Sequence, residues 1–226
     1  MAYSAGLTIS ERDASGQIKL IEDQTRNVDI MDKLKQLYYE TKGVFVTPDA
    51  ADHLTVGVQT FVNGNLLFFP ERFSRLHALR DMEDPYGILP YPKADESQKD
   101  YCTMIHDYAT LYAVPITLSE IDMSCAVLEA MCIENYKNVM PTYYEVALKV
   151  KYSHDDVSAQ VIDLIRSNAT TDFMYANNYY FSNGQVGMIQ RTVLTKNSEY
   201  MSTYASMEKA AKKLLEELWE NTQIPQ

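Results

Sequence analysis

The chain has 226 residues, 46% of them hydrophobic and 23% charged, a globular composition long enough for one large core or two small ones, which excludes intrinsic disorder. It carries 20 Lys and Arg against 31 Asp and Glu, a formal charge of -11 with no long basic run, which argues against a nucleic-acid partner because a phosphate backbone is held by clustered cations. No apolar run approaches the roughly 18 to 20 residues that a membrane span needs, and the opening Met1-Ala2-Tyr3-Ser4-Ala5-Gly6-Leu7-Thr8 lacks the basic flank and apolar stretch of an export signal.

In chain order, Leu7 to Leu20 places the turn Asp13-Ala14-Ser15-Gly16 between short extended pieces and predicts a hairpin. From Asn27, the residues Val28, Ile30, Met31, Leu34, Leu37 and Tyr38 recur at helical spacing, with Gly43 just past the end where a C-terminal cap belongs. Pro48, Asp49 and Ala50 open a short helix through His53. Val56 to Val62 follows, with Phe61 and Val62 either helix end or strand, then the Asn63-Gly64 turn and an apolar strand over Leu66 to Phe69. Beyond Pro70, the residues Phe73, Leu76, His77 and Leu79 predict a short helix within Glu71 to Asp81.

Asp84 to Tyr101 is the most heavily punctuated tract. Pro85, Pro90 and Pro92 each fix φ, remove a backbone donor and push the preceding residue toward extended geometry. No helix and no central strand can run its length, so it reads as a connector between structural units.

Tyr108 to Val114 is a short extended run ending at Pro115, after which Thr117 or Ser119 opens a helix through Ile121, Val127, Leu128 and Met131. Cys125 and Cys132, seven apart on that helix, share a face and are expected in a core. Pro141 to Tyr152 predicts a further helix with Tyr144, Ala147 and Leu148 inward. Ser153-His154-Asp155-Asp156 breaks it and Val157 to Ile165 resumes. A last helix, from Ser202 or Ser206 to Asn221, has Met207, Ala210, Ala211, Leu214, Leu215, Leu218 and Trp219 along one stripe.

Signals of catalysis are weak. The three cysteines have no Cys-x-x-Cys spacing, so neither a disulfide framework nor a zinc site is indicated. His106-Asp107 and His154-Asp155-Asp156 offer a base with a carboxylate beside it, or part of a metal site, but no second His stands at helical spacing. The plainer readings are a surface pair at His106 and a helix break at His154. Asn63-Gly64-Asn65 and Asn183-Gly184-Gln185 are turns, no glycine-rich phosphate loop exists, and the Gly-x-Ser-x-Gly elbow is absent.

Phe68-Phe69-Pro70-Glu71-Arg72-Phe73-Ser74-Arg75 gathers aromatics, a carboxylate and two guanidinium groups between a strand end and a helix start. Strand ends are where open α/β sheets hold ligands. Phe73 is placed to stack on an apolar sugar face, with Glu71, Arg72 or Arg75 bonding to hydroxyls or carboxylates. An exposed helix start with Phe73 tucked inward fits the same residues. The 17 tyrosines suit sugar stacking too, although each one singly reads as a residue at the boundary of a core.

Several runs together carry a resemblance. They are Phe61-x-x-Gly64-x-x-Leu67-Phe68-Phe69, Tyr86-Gly87-Ile88-Leu89-Pro90-Tyr91-Pro92-Lys93 with Gln98, Ala113-Val114-Pro115 leading into Ala126-Val127-Leu128-Glu129-Ala130, Val139-Met140-Pro141-Thr142-Tyr143-Tyr144-Glu145-Val146-Ala147-Leu148-Lys149, and Lys151-Tyr152-Ser153-His154-Asp155-Asp156-Val157-Ser158. Over nearly its whole length the chain resembles the C-terminal portion of family 1 extracellular solute-binding proteins, the carbohydrate-type components of bacterial ABC importers.

The resemblance implies an α/β, helix-rich chain forming the C-terminal part of a two-lobed type II periplasmic-binding-protein fold. It implies second-lobe segments at 1–84 and 141–226, with 85–140 crossing by a hinge at Gly87, Pro90 and Pro92, contributing to the first lobe and returning. A sugar or oligosaccharide would be held by Phe73, Glu71, Arg72, Arg75 and Tyr86 and passed to an ABC permease, with no enzymatic activity and no cofactor. Complete members run to roughly twice this length and are exported and lipid-anchored outside the cell. The chain is therefore expected to lack most of the first lobe, to bind ligand poorly alone and to self-associate through the apolar helix beyond Thr117. The competing expectation is a small α/β enzyme, a hydrolase or metal-dependent catalyst, using His106 or His154.

Overall fold

A computed structural model describes residues 1–46, 53–80, 82–105, 112–151, 156–181 and 186–222. It divides into two units, each discontinuous in sequence: 1–46, 91–109 and 167–226 form the first, and 47–90 with 110–166 the second. The strands are β1 (Ser10–Arg12), β2 (Ile18–Leu20), β3 (Thr103–Met104) and β4 (Ala169–Thr170), and the α-helices are α1 (Thr25–Lys35), α2 (His53–Val62), α3 (Ile121–Glu134), α4 (Asp156–Ser167), α5 (Phe173–Ala176), α6 (Ile189–Lys196) and α7 (Tyr200–Thr222). The described chain is thus a mixed, helix-rich structure with few strands. No described helix is long and apolar enough to cross a membrane.

In the first unit, β1 and β2 pair antiparallel with Ser10 opposite Leu20 and Arg12 opposite Ile18. Asp13 builds the turn as the sequence predicts. Its Oδ1 accepts from the Ser15 amide at 2.9 Å, the Ser15 hydroxyl at 2.6 Å and the Gln17 amide at 3.1 Å, while Gly16 takes φ +89°, a conformation open to glycine at little cost. Lys19 Nζ reaches Asp13 Oδ2 at 2.6 Å across the hairpin.

α1 buries Ile30, Met31 and Leu34 and leaves through a wider π-type turn, in which the Thr41 amide donates to the Gln36 carbonyl at 3.0 Å. α7 begins earlier than expected, at Tyr200, and buries Tyr200, Tyr204, Ala211 and Leu215. With Ala2, Tyr3, Leu7, Ile9, Met174, Phe181, Val186, Ile189 and Val193 these residues form one core, in which each fully buried aliphatic side chain contributes about 1.5–3 kcal/mol. The first residues of the chain are therefore core residues. β3 and β4 pair in parallel, Thr103 opposite Ala169 and Met104 opposite Thr170.

In the second unit α2 ends at a turn where the Gly64 amide donates to the Phe61 carbonyl at 2.9 Å, with Gly64 at φ +71°. The apolar strand expected over Leu66 to Phe69 does not form. Leu67 and Phe68 are 86% and 71% exposed, and an extended run becomes a strand only where a neighbouring strand takes up its backbone groups. The helix expected after Pro70 is a tight 3-10 turn over Phe73–Leu79 with Leu79 buried.

Two further expectations are corrected here. Cys125 and Cys132 are exposed, not core residues, because α3 buries none of its side chains. Nor does the helix stop before Pro141. It continues through π-type turns at Asn135–Val139 and Thr142–Lys151, with Met140 helical at φ -63°. The wider turns suit a proline that cannot donate to the carbonyl four residues back, and the Thr142 hydroxyl takes the Asn138 carbonyl at 2.7 Å. Tyr144 and Ala147 are half-buried and Leu148 fully buried, as predicted. In α4, Ser158, Ile162 and Ile165 are buried.

Candidate functional site

The sequence-predicted ligand residues all belong to the second unit. Phe61, at the end of α2, stacks on Phe69 with ring centroids 5.7 Å apart and meets Tyr86 edge-on at 6.4 Å. Phe69 lies over Gly57, where an added Cβ would come within 2.9 Å of the ring, so the bare glycine admits the aromatic. The geometry thus assembles Phe61, Phe69 and Tyr86, and among these three only Tyr86 is one of the predicted ligand residues.

Glu71 and Arg72 meet each other. Glu71 Oε1 accepts from the Arg72 amide at 2.8 Å and faces its Nε at 3.5 Å, which holds Arg72 extended (φ -94°, ψ 151°) at the entry to the 3-10 turn. Phe73 and Arg75 are half-buried in that turn, and the Arg75 amide donates to the Arg72 carbonyl at 2.9 Å. The group is an aromatic cluster beside a carboxylate–guanidinium pair in sequence, with donors, an acceptor and apolar ring faces.

Gly87 and Pro92 are exposed and Pro90 is half-buried. The Ile88 amide donates to the buried Ser158 hydroxyl of α4 at 2.9 Å, which ties this tract to the second unit just before the chain passes to the first between Pro90 and Tyr91. His106 and His154 lie outside the described residues, as do Asn183, Gly184, Gln185 and the Pro48-Asp49-Ala50 helix opening.

Sequence reasoning missed an open cleft of about 390 Å3 in the first unit, whose lining includes Thr8, Ser10, Glu11, Arg12, Thr171 and Asp172. Asp172 anchors it. Its Oδ2 accepts from the Ile9 and Ser10 amides, both at 2.9 Å. Its Oδ1 accepts from the Ser10 hydroxyl at 3.1 Å and, as the N-cap of α5, from the Met174 and Tyr175 amides at 2.9 and 3.3 Å. With five donors on two oxygens this carboxylate is a structural clasp. The available sign was Asp172 followed by the apolar Phe173-Met174-Tyr175, a capping pattern too short to stand out.

Cys102 also lines the cleft, and burial pushes its thiol pKa up, the direction that disfavours the thiolate. Among the described residues no group of three His, Cys, Asp or Glu is gathered to hold a metal ion. Four tyrosines, Tyr3, Tyr175, Tyr200 and Tyr204, are core members. The Tyr3 hydroxyl donates to the Gly187 carbonyl at 2.6 Å and the Tyr200 hydroxyl to Gln24 Oε1 at 2.7 Å. Comparison with protein-family models, curated proteins and solved structures yields no match for this chain.

Proposed function

We propose that the chain is part of a solute-binding component of a bacterial ABC importer, which captures a sugar or oligosaccharide outside the cell and delivers it to a membrane permease without chemical conversion. Its fold on this reading is the C-terminal part of a type II periplasmic-binding-protein fold. The reading rests on the sequence resemblance. Beside it stands the division into two sequence-discontinuous units, with the chain passing between them at 46/47, 90/91, 109/110 and 166/167, of which the first and last cut the segments 1–84 and 141–226 that the resemblance keeps in one lobe. One of these passages falls inside the proline-rich tract where a binding-protein hinge is expected.

The chemistry of the second unit is compatible with a sugar. Phe61, Phe69 and Tyr86 offer ring faces to the apolar side of a pyranose, and Glu71 with Arg72 and Arg75 offers partners for its hydroxyls. Thermal denaturation of the purified chain against a panel of mono- and oligosaccharides tests this, paired with an assay for release of reducing ends. A rise in midpoint with one sugar class and no turnover is the expected result. Hydrolysis of any glycoside overturns the reading.

A further inference from the structure

Asn63 stands just past the last residue of α2 and is followed by Gly64, both of them exposed. An asparagine before a glycine loses its side-chain nitrogen unaided, because the next main-chain nitrogen closes a five-membered ring on the side-chain carbonyl and glycine alone puts no side chain in the way. Asn183, the other asparagine before a glycine, lies outside the described residues. A Cβ built on Gly64 would meet nothing within 4 Å, so the junction is open to water. The side-chain amides of Asn27, Asn138, Asn168, Asn177 and Asn178 donate to neighbouring oxygens, whereas no such bond holds that of Asn63 among the described residues. One restraint remains, the bond from the Gly64 amide to the Phe61 carbonyl at 2.9 Å. It lies in an exposed turn at a helix end, where local opening costs little.

We propose that Asn63 is a site of spontaneous deamidation and that its isoaspartyl product unfastens the end of α2. The Gly64 nitrogen gives its proton to hydroxide and bonds to Cγ of Asn63, the bond from Cγ to Nδ2 breaks, and ammonia leaves with a proton taken from water. Water then opens the ring. Cleavage on the Cγ side leaves aspartate, and cleavage on the main-chain carbonyl side leaves isoaspartate. One water is consumed and one ammonia released, with no change of oxidation state. Isoaspartate carries the chain through Cγ and so adds a methylene to the main chain, and either product sets a carboxylate at the C-terminal end of α2, where the helix carbonyls already concentrate negative charge. Both effects work against the bonds from the Asn63, Gly64 and Asn65 amides to the Gln59, Phe61 and Thr60 carbonyls. Phe61 carries the ring that stacks on Phe69 and meets Tyr86, so the aromatic cluster loosens as the chain ages. The reaction itself does not depend on sugar binding.

Peptide mapping by mass spectrometry, with electron-transfer fragmentation to tell aspartate from isoaspartate, tests it on the folded chain held at mildly alkaline pH. Asn63 is expected to gain the amide-to-acid mass difference, with isoaspartate the larger product, while Asn177 and Asn178 remain amides. Asn63→Gln, which places the carbonyl one methylene too far for the five-membered ring, and Gly64→Ala should each slow the conversion at least severalfold. The isoaspartyl form, separated by ion exchange, should exchange the amides of residues 63–65 faster than the parent chain, with the amides inside α7 unchanged. An intact Asn63 after an incubation that converts the guanidinium-unfolded chain overturns the proposal, as does equal conversion of Asn63 and Asn177 or unchanged amide exchange in the isoaspartyl form.

Discussion

Ser10 meets Asp172 through two separate bonds, its amide donating to Oδ2 at 2.9 Å and its hydroxyl to Oδ1 at 3.1 Å. The contact joins residues 162 apart in sequence and sits at the rim of the first-unit cleft. Replacing Asp172 with Ala strands the buried amides of Ile9 and Ser10, leaves the Met174 amide only its longer bond to the Ser10 hydroxyl at 3.3 Å, and removes the cap of α5. The expected loss is about 3 kcal/mol, with Asp172→Asn intermediate because it keeps one carbonyl acceptor. Chemical denaturation of both variants measures it, and an unchanged midpoint for Asp172→Ala would show that the clasp carries no net stability.

Gly187 is a second fixed point. A Cβ there would lie 2.2 Å from the Met174 carbonyl oxygen, closer than backbone atoms can be forced without moving α5. Gly187→Ala is expected to cost more than about 2 kcal/mol. Tyr3→Phe, which removes the hydroxyl donated to the Gly187 carbonyl, should cost about 1 kcal/mol. Thermal midpoints of the two variants should fall in that order.

The buried phenols set an alkaline limit. Burial raises the pKa of Tyr3, Tyr200 and Tyr204, that of Tyr204 to about 12, against an ordinary 10.0. A folded pKa above the unfolded one means that the neutral phenols contribute fully below about pH 10. That contribution is lost as pH climbs toward and past 12, since the unfolded chain releases its protons first. Denaturation midpoints from pH 8 to 12 should be flat and then fall above 10, and Tyr204→Phe should flatten part of the fall.

Ser158 tests the tie on the connector. Its buried hydroxyl accepts from the Ile88 amide, so Ser158→Ala should cost about 1 kcal/mol and speed amide exchange at Ile88 more than in the interior of α7. Equal exchange at Ile88 in both proteins would mean that the bond does not restrain the tract.

What the sequence made legible was local. The Asp13-to-Gly16 turn is built by one side chain bonding to its own neighbours, and the stripes of α1 and α7 meet a core whose identity does not alter their spacing. What stayed hidden depends on distant partners. Leu66 to Phe69 has a strand's composition but no adjacent strand among the described residues, Cys125 and Cys132 have a core helix's spacing but are exposed, and Asp172 caps a four-residue helix while clasping Ile9 and Ser10. The helix through Pro141 survives by widening its turns, a backbone adjustment with no side-chain signature. At the candidate site, Tyr86 falls within an aromatic cluster completed by Phe61 and Phe69, which stand in runs the sequence singles out but which nothing in those runs brings against Tyr86.

Carbohydrate recognition by the second unit is the central claim, and saturation-transfer NMR with an oligosaccharide panel reads it most directly because it detects weak binding. Irradiating aromatic protein protons should transfer signal to the ring protons of one sugar class. The transfer should fall at least severalfold in Phe73→Ala and in Tyr86→Ala while the Asp172→Asn variant retains it. No transfer to any sugar, or equal transfer in wild type and both aromatic variants, would contradict the account.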